Sequence, residues 1–90
     1  MVAFNNLPEE LQAIGICESR LIENAKNPKS SASGIFQFID GTAEWVGGIL
    51  YGDKWDMKYK NNPYVQIHMA KWLYDNSGPS HWECYTLKMI

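Results

Sequence analysis

Ile16-Cys17-Glu18-Ser19-Arg20, followed by Ser30-Ser31-Ala32-Ser33, then Gly34-Ile35-Phe36-Gln37-Phe38-Ile39, and closed by Thr42 and Trp45, is the stretch whose reading decides this 90-residue chain. Projected as a helix that begins at Pro8, with about 100° per residue, the residues leading into it bring Leu11, Ile14, Glu18, Ile22 and Ala25 into one sector, with Glu18 near its centre. A carboxylate among apolar neighbours, with no cation beside it, is disfavoured in its charged form. The expectation is a raised pKa and an acid still partly protonated near neutral pH, as a general acid must be. A lone Glu on an apolar stripe is more often a helix-edge residue whose carboxylate reaches water, so Glu18 by itself carries little. The segment after it adds weight. Residues 30–34 form a polar turn, and 34–39 alternate apolar side chains with an amide, the pattern of an extended segment that lines a cleft.

Outward from this stretch the punctuation is clear. Asn5-Asn6, then Pro8 in the first turn and Glu9 and Glu10 at the positive end of the dipole, start a helix that is expected to run to about Asn24. Asn27-Pro28 stops it, because the residue before a proline avoids the α region, and residues 29–34 form a loop at the rim of the cleft. Asp40-Gly41-Thr42 offers a turn and two candidate N-caps, and Ala43, Val46, Ile49 and Leu50 recur behind it at helical spacing. Gly47-Gly48 weakens that helix by about 1 kcal/mol per glycine relative to alanine, so two to three turns ending near Tyr51-Gly52 are expected. Residues 53–62, with Trp55, Met57 and Tyr59, read as an irregular loop folded over the core. Asn62-Pro63 opens the last helix as N-cap and first residue; Val65, Met69, Trp72 and Leu73 form its buried stripe, with Ile67, Ala70 and Tyr74 as a second edge. Asn76-Ser77-Gly78-Pro79 ends it.

Length and composition set bounds. Ninety residues, 46% apolar and 13% aromatic, make one globular domain, residues 1–90, that buries only about 60 to 65% of its unfolded surface. Such a core needs help. Cys17 and Cys84 either form a bridge, worth roughly 3 to 5 kcal/mol in the loop-entropy model, or stay as two buried thiols; in a small aromatic-rich chain, a pair flanking Glu18 favours the bridge. Of the four tryptophans, two are expected to serve the core alone and the others to offer ring faces to a ligand. A net charge of −2 with no Lys/Arg cluster leaves no electrostatic footprint for nucleic acid. No run of 18 apolar residues is present to span a membrane, and Met1 to Asn6 lacks the basic start and apolar stretch of a signal peptide. His68 and His81 stand at no zinc-like spacing to cysteine, so neither a metal nor a cofactor is expected.

Taken together, Cys17-Glu18-Ser19, the run Ser31 to Phe38, Thr42 and Trp45 resemble the Glu-Ser and Gly-Leu-Phe-Gln signatures of the lysozyme-like superfamily. Within it the likeness is to soluble lytic transglycosylase and resuscitation-promoting-factor-type domains that act on peptidoglycan, and His81-Trp82-Glu83-Cys84 resembles the closing Trp-x-Cys of the short disulfide-bearing members. The resemblance implies a mainly α, lysozyme-like domain of three to four helices with a short extended segment and a Cys17–Cys84 disulfide. It implies cleavage of the MurNAc-GlcNAc β-1,4 backbone with Glu18 as acid and then base, giving a 1,6-anhydro product. Ser19, Gly34, Phe36, Gln37 and Trp82 would line the sugar site, with a core role as the alternative for Phe36. The implied partners are peptidoglycan glycan strands, met by a monomer in an extracytoplasmic or phage-associated setting.

Two rivals stand beside this reading. A hydrolytic muramidase needs a second acid, for which Asp40 and Glu44 are the candidates, although the first reads equally as a turn or cap residue and the second as a first-turn helix acid. A module that binds glycan without turnover is the other. One departure from the soluble transglycosylases is plain: where they carry Ala-Tyr-Asn late in the domain, this chain reads Ser77-Gly78-Pro79-Ser80-His81-Trp82, so what holds Glu18 must differ.

Overall fold

The computed structural model describes residues 2–88. It is mainly α: α1 (Val2–Asn5), α2 (Glu9–Ser19), α3 (Asp40–Tyr51), α4 (Pro63–Ser77) and α5 (Glu83–Lys88), with 3₁₀ turns at Gly52–Lys54, Met57–Tyr59 and Pro79–His81. Cys17 and Cys84 are joined in a disulfide across 67 residues, with their Cα atoms 6.0 Å apart. Among the described residues no helix is long and apolar enough to cross a membrane.

The helix ends read from the sequence hold where a side chain or proline writes them locally. Asn62 Oδ1 accepts the backbone N–H groups of Tyr64 and Val65 at the start of α4, Pro63 fills the first turn, and Gly78 closes the helix with φ 74°. The third helix ends at Tyr51 despite two interior glycines; a Cβ on Gly47 would fall on the Trp55 ring, so that glycine admits the indole rather than merely weakening the helix.

Two expectations are corrected. The second helix stops at Ser19, not near Asn24, because Arg20 and Leu21 both turn left-handed, with φ 54° and 61°. Ser19 holds that end: its hydroxyl donates to Gly15 O (3.2 Å) and accepts the Leu21 N–H (3.1 Å). Ile22, placed in the buried sector by the longer helix, is 58% exposed as a result. Residues 34–39 are likewise not an extended run. They fold as a tight turn flanked by the bridge Ser33–Phe38, with Gln37 N–H bonded to Gly34 O (3.2 Å) and Gln37 itself at φ 52°.

That turn is seated in the core by one side chain the sequence did not single out. Phe36 is fully buried, with ring centroids of Phe4, Phe38 and Trp82 at 6.1, 6.4 and 6.0 Å. Gln66, also fully buried on α4, accepts the Phe36 N–H (2.9 Å) and donates to Lys60 O (2.7 Å) and Ser33 O (3.4 Å). Gly34 is required beneath it, since at φ 85° a Cβ would fall on the Gln66 amide. Leu11, Ile14, Ile35, Val46, Met69 and Leu73 complete the apolar packing.

Replacing Gln66 with Leu strands the Phe36 N–H and the Lys60 carbonyl without partners, each worth about 1 to 3 kcal/mol when buried. The expected loss is about 3 kcal/mol in a urea unfolding curve. Replacing both cysteines with Ser is expected to cost about 3 kcal/mol, which lowers the thermal midpoint by roughly 15 °C for a chain of this size.

Candidate active site

Glu18 sits in the last turn of α2, one residue before the helix ends and the chain turns left-handed, so its carboxylate leaves the helix where the chain turns away. It is half-buried, and its Oε2 accepts the backbone N–H of Cys84 at 3.1 Å. The disulfide carries that donor: Cys17 precedes Glu18 in α2 and bonds Cys84 near the start of α5. The pKa of Glu18 is raised. Burial is the largest cause, the Cys84 N–H pulls in the opposite sense by favouring the anion, and the neighbouring charge of Glu83 pushes upward again.

The carboxylate opens on a cleft of about 180 Å³ whose walls come from three loops and an element end: Asn27, Ser30 and Ala32 on one side, Gln37 and Ile39 from the turn before α3, and His81, Trp82 and Glu83 from the segment entering α5. The Gln37 side chain is aimed by its backbone. Its amide nitrogen donates to Ala25 O (3.0 Å) and Gly34 O (2.9 Å), which uses both amide hydrogens and leaves the Oε1 acceptor for the cleft. Trp82 is buried, and its indole N–H bonds Phe36 O at 3.1 Å. It forms the floor. A larger, mainly apolar hollow of about 590 Å³ lies beyond α2, lined by Ile14, Ile16, Cys17, Arg20, Cys84 and Tyr85, away from the Glu18 cleft.

Of the residues singled out in the sequence, Glu18, Gln37 and Trp82 are brought together here. The others are placed elsewhere. Ser19 is buried and terminates α2; Gly34 lies against Gln66; Phe36 is at the centre of the core. Asp40 is the first residue of α3, after Ile39 as N-cap, and accepts an ion pair from the buried Lys60 Nζ at 2.7 Å; it faces a separate cavity of about 380 Å³. Glu44 accepts the indole N–H of Trp55 at 3.0 Å. Two contributors escaped the sequence reading, Glu83 and the Cys84 backbone N–H, whereas His81 stands there in the closing motif beside Trp82. Glu83 carried a signal, since it follows Trp82 in that motif; the N–H carried none.

The family model described as the transglycosylase SLT domain matches residues 1–85 of the chain. No curated protein and no solved structure matches it significantly.

Because burial and Glu83 both favour the neutral acid and outweigh the Cys84 N–H, a carbon-detected titration is expected to show Glu18 releasing its proton above an ordinary glutamate. A Glu83→Gln variant removes one upward cause and moves that midpoint down. With the folded pKa raised, the contribution of Glu18 to stability is complete at low pH and is lost as pH rises through the folded value. The variant therefore loses less stability over that interval.

Proposed function

The chain belongs to the transglycosylase SLT domain family, lysozyme-like lytic transglycosylases of peptidoglycan, and from that premise we propose that it cleaves the MurNAc-GlcNAc β-1,4 backbone with Glu18 as its acid and base. One observation carries the assignment: a half-buried carboxylic acid of raised pKa, fixed by a backbone N–H, shares a cleft with an amide acceptor and a tryptophan floor.

Each group has a task. Protonated Glu18 gives its proton to the glycosidic oxygen as the C1–O bond breaks, and the substrate's own acetamido oxygen closes on C1 to share the positive charge. The resulting carboxylate then takes the proton of the muramyl C6 hydroxyl, O6 bonds C1, and the acetamido oxygen leaves, giving the 1,6-anhydro end and restoring the acid. No water enters. The Cys84 N–H stabilises the intermediate carboxylate, while burial and Glu83 both favour the protonated form of the resting acid. Gln37 Oε1 accepts from a sugar hydroxyl or from the N-acetyl N–H. Asp40 and Glu44 are assigned structural work, in the Lys60 ion pair and the Trp55 hydrogen bond.

A second reading has one observation in its favour: Glu83 is an exposed carboxylate in the same cleft, the place a hydrolase would keep its second acid. The substrate places the site of action outside the cytoplasm, and the disulfide fits an oxidising compartment.

Digestion of purified peptidoglycan followed by mass spectrometry separates the two, because an anhydro end is lighter by one water than a reducing end. Anhydro ends are expected. A Glu18→Gln variant is expected to lose activity by about 10³-fold, within the range for removing a general acid; cleavage at the wild-type rate by that variant would overturn the assignment.

A further inference from the structure

The Cys17–Cys84 disulfide faces two ways. Towards the cleft, Cys17 immediately precedes Glu18, and the N–H of Cys84 bonds the Glu18 carboxylate at 3.1 Å. Towards the opposite face, both cysteines line the open, mainly apolar hollow of about 590 Å³, which shares no lining residue with the Glu18 cleft. Cys17 is exposed and Cys84 half-buried, so the bond can be reached from solvent while the cleft is occupied. An exposed disulfide is the labile kind, because a thiolate must reach a sulfur atom to exchange with it. The remainder of the site has its own anchors. Neither cysteine belongs to the apolar core, and Trp82 is fixed by its indole bond to Phe36 O and by the Phe36 and Phe38 rings at 6.0 and 6.2 Å. Gln37 is aimed by two backbone carbonyls. Of the groups around the acid, the Cys84 N–H is the one whose position the bond secures.

We propose that this disulfide is a redox switch on the Glu18 acid: the oxidised protein cleaves glycan, and reduction to two thiols leaves a folded protein of low turnover. The inference rests on the role proposed for Glu18 and adds its regulation. The reductant is a dithiol. One of its thiolates attacks the sulfur of Cys17, the S–S bond breaks, and Cys84 leaves as a thiolate that takes a proton. The second thiol of the reductant then displaces the Cys17 sulfur, so that two protein thiols and one oxidised dithiol remain, with two electrons passed to the protein. Once the bond is cut, no crosslink ties the end of α2 to α5, where Cys84 is the second residue. The Cys84 N–H is free to leave the carboxylate. The anion loses a donor, so the acid gives up its proton less readily and the first step slows. Activity is thereby confined to an oxidising compartment, the setting in which disulfides persist.

The test reads turnover of soluble glycan strands and the Glu18 carboxyl signal, well below the thermal midpoint, as dithiothreitol is added and then replaced by oxidised glutathione. On reduction kcat is expected to fall about tenfold, the scale for one hydrogen bond to a charged group, with KM nearly unchanged. The Glu18 midpoint is expected to rise, and the Trp82 indole N–H signal to stay where it was. Oxidation restores both kcat and the midpoint. A Cys17→Ser, Cys84→Ser double variant is expected to match the reduced protein and to ignore dithiothreitol. Reduction that leaves kcat and the Glu18 midpoint unchanged overturns the proposal. So does loss of the Trp82 signal together with activity, which marks the bond as a staple of the whole fold, and so does a disulfide that survives dithiothreitol. Cleavage by Glu18→Gln would instead sink the assignment of the acid; the Glu18 midpoint, which needs no substrate, still decides whether reduction removes its donor.

Discussion

The amide of Gln66 is the constraint on which the rest of the structure depends. A buried side-chain amide is tolerable only when its donors and acceptor are satisfied, and the groups that satisfy this one are backbone atoms of the functional turn: the Phe36 N–H, the Ser33 carbonyl and, from the segment before α4, the Lys60 carbonyl. The turn is thereby fastened to α4. Its register puts the Phe36 ring among Phe4, Phe38 and Trp82, and puts the Phe36 carbonyl where the Trp82 indole N–H reaches it. The floor of the cleft thus depends on a hydrogen bond made by a side chain of α4.

The acid is held by a second, shorter chain of causes. Ser19 ends α2 immediately after Glu18, Cys17 immediately before it ties that turn to α5, and the tie delivers the Cys84 N–H to the carboxylate. The disulfide therefore acts twice, by limiting the unfolded chain and by keeping a hydrogen-bond donor beside the Glu18 carboxylate. Backbone strain gathers in the same place. Arg20, Leu21 and Gln37 are non-glycine residues at positive φ, conformations that cost of order 1 to 3 kcal/mol each and persist where surrounding contacts compel them. Here those contacts are the Ser19 hydroxyl on Leu21 N–H and the two carbonyls that accept from the Gln37 amide.

Charge completes the arrangement. Three influences on Glu18 oppose one another, and the balance leaves the acid protonated longer than an ordinary glutamate while its anion, once formed, has a donor at hand. The proposed mechanism, in which Glu18 gives a proton and then takes one back, is served by that compromise. Asp40, by contrast, spends its charge on Lys60, which is nearly inaccessible to water and also donates to Ser31 O; the pair clamps the loop over 30–40 to the segment before α4.

Much of this was legible in the residues. The family, the mainly α fold, the pairing of Cys17 with Cys84 and the bounds of α3 and α4 are written in signals a few residues long: proline and asparagine at a helix start, glycine at its end, an apolar period between, and a short motif around each cysteine. Glu18, Gln37 and Trp82 were legible as a motif, and the cleft gathers all three. Tertiary structure alone decided that α2 stops at Ser19, that Phe36 and Gly34 serve the core, that Glu83 stands beside the acid, and that Gln66 anchors the turn. The physical reason is range. A cap or a period acts on its neighbours in sequence, whereas satisfying a buried amide or bringing a backbone N–H to a carboxylate joins residues 30 and 66 positions apart, and nothing local in a chain records such a meeting.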